Sequence, residues 1–255
     1  MRDDRISYLV GRGLPDMPPR PPYDGLVCSF LGALSDLLMK ERAYPDVVSF
    51  AFFCRRANIA RLKKEFGTGE TRLGRGMAFH VTPSNIPINF AFSLVFGLLS
   101  GVSNVVRVPA RDWPQVDAVC GAINALLERD EFRGMRNGVT MARYERDDEI
   151  TGYFSGHCDA RVIWGGDETV ASIRKIPIPP RAVEITFADR YSLCVIGGAA
   201  IAEAGEDTMT RLAEDFYNDT YLVDQNACSS PNLVVWLGAT DEAREKFWSA
   251  VYRAA

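Results

Sequence analysis

Met77-Ala78-Phe79-His80-Val81-Thr82-Pro83-Ser84-Asn85-Ile86-Pro87 is the stretch that decides the fold. A short apolar run ends in a hydroxyl, a proline and a carboxamide and then leads into the apolar segment 86–100, which reads as a buried strand, a tight turn and a buried helix. The apolar segment stops at Ser100-Gly101, short of the roughly 20 residues that a membrane span needs, so a core helix is the expectation and no membrane span is predicted. Working outward, 104–108 reads as a strand and 113–128 as a helix, because Val116, Val119, Cys120, Ile123, Leu126 and Leu127 recur with a helical period. The series continues with strand 138–144, helix 147–156, strand 161–164, helix 167–175, strands 182–187 and 192–197, helix 206–220, strand Leu233–Leu237 and a last helix capped by Thr240. Strands alternating with helices predict an α/β fold whose sheet is covered by crossover helices, Rossmann-like in its nucleotide-binding half.

Four segments follow. Residues 1–25 carry Pro15, Pro18, Pro19, Pro21 and Pro22 and read as an extended arm. Residues 26–73 read as a helical segment packing on the core, with two helices parted near Ala43-Tyr44-Pro45. Residues 74–222 carry the alternating strands and helices, and 223–255 hold the polar loop around Cys228 with the last strand and helix. With 255 residues, 47% hydrophobic and 24% charged, the chain can bury a sizeable core. Its net charge of -4 gives no bulk attraction to nucleic acid or an anionic membrane. Six cysteines without paired spacing, two distant histidines and an N-terminus without a signal-peptide core point to a reducing cytoplasm and to no metal site.

Two strand-to-helix turns could hold a nucleotide. The first presents Thr82, Ser84 and Asn85; the second is Trp164-Gly165-Gly166-Asp167-Glu168-Thr169, where free N–H groups at a helix start suit phosphate. Neither is the dinucleotide fingerprint, Gly-Gly before a helix also marks a plain tight turn, and Asp167 would cap the helix itself and repel an anion. Arg107 and Arg111 follow the second strand of the pattern, where a guanidinium could grip a 2′-phosphate and favour NADPH over NADH; solvated surface arginines are the other reading.

Cys228 differs from Cys28, Cys54, Cys120, Cys158 and Cys194 in lying in a short polar loop, Asn226-Ala227-Cys228-Ser229-Ser230-Pro231, whereas the others sit mostly among apolar neighbours. Attack by such a thiolate on a carbonyl makes an oxyanion, for which the Cys228 N–H and the Asn85 carboxamide are candidate donors. The bland alternatives are a structural cysteine and a turn asparagine. His80 or His157 could instead complete a Cys–His pair, although both stand where a histidine is ordinarily packed.

Taken together, Thr82-Pro83-Ser84-Asn85-Ile86-Pro87, Ser103-Asn104-Val105-Val106-Arg107-Val108-Pro109, Val162-Ile163-Trp164-Gly165-Gly166-Asp167 and Asp224-Gln225-Asn226-Ala227-Cys228-Ser229-Ser230-Pro231 resemble the long-chain acyl-CoA reductase family. That family is the fatty-acid reductase component of bacterial bioluminescence and belongs to the aldehyde dehydrogenase superfamily. The resemblance covers roughly residues 74–238. It implies a Rossmann-like NAD(P)-binding domain of the aldehyde dehydrogenase type over 74–222, a nucleophile loop and the start of a catalytic domain over 223–255, Cys228 as nucleophile, Asn85 as oxyanion donor, and a nicotinamide cofactor near Ser84, Arg107 and Gly166, with Thr82, Trp164, Gly165 and Thr169 beside them.

The implied reaction is NADPH-dependent reduction, with NADH as the other option, of a long-chain acyl-CoA or acyl thioester to a fatty aldehyde through an acyl-Cys228 intermediate. An acyl-transferring partner protein and a homo-oligomer are compatible with it. Hydrolytic aldehyde dehydrogenases carry a water-activating glutamate upstream of the cysteine; here Thr186 aligns with it, although a two-residue slip would substitute Glu184. The family also continues well beyond the nucleophile, whereas 27 residues (255 minus 228) follow Cys228, so an incomplete catalytic domain is expected. The competing readings are a non-catalytic nucleotide-binding or assembly module and NAD(P)-dependent oxidation of aldehydes to acids, which requires a water-activating carboxylate near Cys228.

Overall fold

A computed structural model describes residues 4–188, 190–221, 225 and 227–255. The chain divides into two compact units, Met1–Ala188 and Asp189–Ala255. In the first, β1 (Ser7–Val10), β2 (Met77–Val81), β3 (Ser103–Arg107), β4 (Val139–Arg143), β5 (Ala160–Trp164) and β6 (Val183–Phe187) form one sheet in the order β1-β4-β3-β2-β5-β6. β2 to β6 run parallel, and β1 joins the edge antiparallel to β4 with a register irregularity between Tyr8 and Val10. This edge strand lies inside the segment expected to be a bare extended arm. Its four residues precede the first proline of that arm, so proline does not bar the ladder.

Helices pack on both faces of the sheet, as the alternation predicts. α1 (Gly25–Leu38), α2 (Pro45–Phe53), α3 (Arg56–Phe66), α4 (Asn89–Leu99) and α5 (Pro114–Leu127) build the larger core, in which Phe30, Phe50, Leu94 and Ile123 are fully buried. α6 (Asp148–His157) and α7 (Asp167–Arg174) close the opposite face, where Phe79 meets Phe154 at 5.4 Å between ring centroids. Residues 26–66 hold three helices and not the two expected. The break falls at Cys54-Arg55, where the chain becomes extended and the Asn58 amide donates to Phe53 O at 2.7 Å.

Every residue of β2 is buried, as a central parallel strand requires. Its one polar side chain, His80, is satisfied completely. His80 Nε2 stands 2.9 Å from Asn104 Oδ1 and Nδ1 stands 2.8 Å from Ser93 Oγ, while Asn104 Nδ2 donates to Val102 O at 2.8 Å. That last bond leaves Asn104 Oδ1 as an acceptor, which assigns the proton to Nε2 and makes Nδ1 accept from Ser93. Burial lowers the His80 pKa to about 4, so the ring is neutral. α4 can pass over this network only because position 97 is glycine: a Cβ there would lie 1.9 Å from Asn104 Oδ1. Gly97→Ala is therefore expected to lower stability by about 2–3 kcal/mol, through overpacking plus a broken buried hydrogen bond, read as a fall in the urea midpoint.

The second unit pairs β7 (Leu193–Gly197) and β8 (Leu233–Leu237) in parallel. α8 (Gly198–Glu203), α9 (Glu206–Thr220) and α10 (Asp241–Ala254) pack around Ile196, Ile201, Phe216 and Phe247. β7 and α9, read from the sequence as the end of the nucleotide-binding series, thus stand in this unit. α8 has no counterpart in the sequence reading; Lys246 Nζ closes its end by donating to Ile201 O, Ala202 O and Ala204 O at 3.0, 3.0 and 2.7 Å.

Candidate functional site

The sheet order reverses between β2 and β5: the chain leaves β2 toward β3 and β4, and leaves β5 toward β6 on the other side. Ligands of doubly wound sheets bind outside the strand ends at such a switch point. Both turns singled out in the sequence lie there, because β2 and β5 are paired in parallel with Val81 beside Ile163. Ser84 and Asn85 are exposed on the first turn, and the Ser84 carbonyl accepts from Trp113 Nε1 at 3.2 Å. Thr82 is buried and donates its hydroxyl proton to Arg107 O at 2.6 Å, so it ties β2 to β3.

In the second turn the Gly165 N–H donates to Phe187 O at 3.2 Å, and a Cβ on Gly165 would press on Thr169 at 3.0 Å. Trp164 stacks on Phe187 at 3.8 Å and donates from Nε1 to Ser93 Oγ at 2.9 Å. Gly166 is the N-cap of α7 and supplies no side-chain cap, while Asp167 and Glu168 occupy the first turn. Two carboxylates complement the helix dipole and oppose a phosphate at that place. Arg107, the last residue of β3, lies over the Tyr144 ring at 4.7 Å and donates to Tyr144 O at 3.3 Å; Arg111 lies over Trp113 at 4.3 Å.

Neither histidine is set up as a base. Both His80 nitrogens are consumed inside the fold. His157 ends α6, ahead of β5 and so at the opposite end of the strands from the two turns, with Nδ1 2.7 Å from Tyr153 O. Glu184 is not free either. Its Oε2 takes hydrogen bonds from Arg161 Nε at 2.8 Å and from Arg161 Nη2, and its Oε1 takes one from Arg174 Nε at 2.7 Å. Burial alone would raise its pKa, but the bonds from Arg174 and Arg161 outweigh burial and lower it. A carboxylate clamped by two guanidiniums is a poor activator of water, which removes the specific basis for the aldehyde-oxidising reading.

The cysteines separate sharply in the second respect that matters, accessibility. Cys54, Cys120 and Cys158 are buried, and burial raises their pKa values to about 12, 12 and 11; Cys28 and Cys194 are half-buried, with burial again raising both. Cys228 is exposed. Its loop is held from both sides: Ser192 Oγ donates to Cys228 O at 2.6 Å, the Ser230 N–H donates to Ala227 O at 3.0 Å, and Ser230 Oγ donates to Asp219 O at 2.9 Å. Ser192 and the Ser93–Trp164 link carry no signal in the sequence, since both act through contacts made only on folding. Asp224 and Asn226 of the resembling stretch, with Leu222 and Val223, lie outside the described residues, as does Asp189. Asn85 belongs to the first unit and Cys228 to the second. Among the described residues no group of His, Cys, Asp and Glu could hold a metal ion, and no helix is long and apolar enough to cross a membrane.

Residues 14–252 match the model of the family described as acyl-CoA reductase (LuxC). A long-chain acyl-protein thioester reductase from Aliivibrio fischeri is 21% identical over 166 residues, 64% of this chain and 32% of that protein. The chain thus spans about a third of the length of that relative. Among solved structures, a mutant of proline utilization A from Bradyrhizobium japonicum is 18% identical with a TM-score of 0.60, over 92% of this chain and 26% of that one. A mutant 1-pyrroline-5-carboxylate dehydrogenase from Thermus thermophilus is 14% identical with a TM-score of 0.58, over 90% and 48%. Betaine aldehyde dehydrogenase from Staphylococcus aureus, solved with NAD+, is 15% identical with a TM-score of 0.59, over 88% and 47%. The fold is of the aldehyde dehydrogenase type, and the chain belongs to the acyl-CoA reductase (LuxC) family.

Proposed function

We propose that this chain carries the nucleotide-binding part and the nucleophile of an NADPH-dependent reductase that converts a long-chain acyl-CoA or acyl-protein thioester to an aldehyde, with Cys228 as the acyl carrier. The single observation behind the thiol's role is its exposure in a tethered polar loop while the other five cysteines are buried or half-buried. In support stand the family match across 14–252, which includes this loop, and a relative whose name states acyl-protein thioester reduction. An acyl-protein donor would make a transferring partner protein part of the system. Six free thiols fit a reducing compartment such as the cytoplasm.

The residues at the switch point fit a nicotinamide dinucleotide by type and place. Exposed Ser84 and Asn85 offer polar contacts, and Arg107 on its tyrosine platform is a cation at the end of β3 suited to a 2′-phosphate. The acidic first turn of α7 leaves these groups, with Trp164, Gly165, Gly166 and Thr169 as the neighbouring wall, as the anion-compatible part of the crevice. When bound, NADPH supplies the hydride.

The chain's own residues do the rest. The Cys228 thiolate attacks the acyl carbonyl; the Cys228 N–H and, as the family resemblance implies, the Asn85 carboxamide are the donors proposed for the oxyanion; and the carbon–sulfur bond to the donor breaks, its thiolate taking a proton from solvent. After reduction, the Cys228–carbon bond breaks, the aldehyde leaves and the thiolate is restored. Arg161 and Arg174 hold Glu184, which leaves it a poor activator of the water that hydrolysis of an acyl-enzyme needs. The test is incubation with a long-chain acyl-CoA followed by peptide mass spectrometry. An acyl adduct on Cys228 that is absent from Cys228→Ala is expected, and unlabelled protein that still binds NADPH would overturn the nucleophile's role in favour of a non-catalytic nucleotide-binding module.

A further inference from the structure

The face of β5 and β6 that carries Ala160, Val162, Trp164, Val183, Ile185 and Phe187 is covered by no helix among the described residues, and α4 walls it on one side with Phe96 and Gly97. The result is a cavity of about 480 Å³, inside the range of roughly 300–1,000 Å³ typical of small-molecule sites. Its chemistry is almost entirely hydrocarbon, and for a structural reason. The polar groups on its floor are spent on one another: His80 on Ser93 and Asn104, and the indole N–H of Trp164 on Ser93. What faces the space is therefore the carbon of these side chains together with aliphatic and aromatic walls, and Ile185 and Phe96 stand 47% and 50% exposed at its sides. A hydrogen-bonding ligand would find no partner in its interior, whereas an alkyl chain loses nothing there.

The mouth at the start of the strands is cationic. Arg75 lines the cavity and donates from Nη1 to the backbone carbonyl of Arg181 at 3.1 Å, so residue 181 adjoins the rim without lining it, and neither arginine has an ion-pair partner among the described residues. The carboxylate that opens β5, Asp159, is turned to the Met77 N–H at 2.8 Å. We propose that this cavity binds a single-chain amphiphile with an anionic head, its hydrocarbon tail lying along β5 and β6 toward Trp164 and Phe187 and its head at Arg75 and Arg181. The site lies wholly in the first unit and does not rest on the chemistry assigned to Cys228.

Laurate, added well below its micelle concentration, is the probe, and the emission of Trp164 in the wall is the signal. Saturable change is expected, carried by Trp164 and lost in Trp164→Phe although Trp113, Trp236 and Trp248 remain. Ile185→Asp and, separately, Phe96→Asp, both at exposed positions and so compatible with folding by circular dichroism, should each weaken binding by about tenfold or more by placing a charge in the tail's path. The Arg75→Glu/Arg181→Glu double variant should weaken laurate several-fold and leave dodecanol unchanged. Emission that rises linearly without saturation, a signal that persists in Trp164→Phe, or affinity unaltered in both aspartate variants would overturn the proposal. So would a dimer that laurate cannot enter and that Ile185→Asp dissociates, because a second copy would then be the occupant of this face.

Discussion

Replacing Asn85 with alanine is expected to slow acylation of Cys228 by about 10²–10³-fold, the loss found when one carboxamide donor is removed from an oxyanion hole. Asn85 is exposed on the turn after β2 and has no hydrogen bond within the fold among the described residues, so its removal should leave stability within about 0.5 kcal/mol of the parent. As the proposed oxyanion donor, Asn85 would act fully only as the carbonyl oxygen gains charge, so the loss should fall on the rate constant for acylation and spare the concentration of acyl-CoA that half-saturates it. Rapid quenching followed by mass spectrometry of the Cys228 peptide gives both quantities. Binding of NADPH, followed by its fluorescence, should move little. A variant that acylates at the parent rate would remove Asn85 from the chemistry and leave the Cys228 N–H to act with other donors.

The sheet and its helices were legible because their signal is local. The apolar period of α5 and the five-residue apolar strands survive in the sequence whatever packs against them, and Leu233–Leu237 and the Thr240 cap fall where the pattern puts them. What escaped the sequence depends on partners remote in the chain. β1 is four residues long and exists because β4 offers an edge; α8 is a six-residue helix closed by Lys246; and the division at 188/189 parts β6 from β7, two strands that look alike in the sequence. At the candidate site, the polarity around Cys228 could be read directly and agrees with its exposure. The inward turn of Trp164 and the arginine clamp on Glu184 could not, since neither Ser93 nor Arg161 and Arg174 lies near its partner in sequence.

That clamp carries the largest stability effect expected in the first unit. Arg161 is 2% exposed, and its guanidinium is satisfied by Glu184, Ser155 Oγ at 3.2 Å and Ile176 O at 2.8 Å. Glu184→Ala would keep the two neutral acceptors but leave a buried cation without its counter-charge, at a cost of about 3–5 kcal/mol. The size of the loss measures the stranded charge and not the net worth of the pair, so an Arg161→Met/Glu184→Leu double variant should recover most of it. The sign with pH follows from Glu184's lowered pKa: the carboxylate contributes stability above its ordinary value of 4.5, and that contribution disappears as pH falls through the lower folded value. Urea denaturation between about pH 3 and pH 7 should therefore show the parent losing stability on the acid side, with the double variant flatter over the same range. If Glu184→Ala and the parent have the same midpoint at neutral pH, Arg161 must reach solvent or another anion. β6 could then release its glutamate, and the water-activating role denied to Glu184 here would return as a live chemistry for this site.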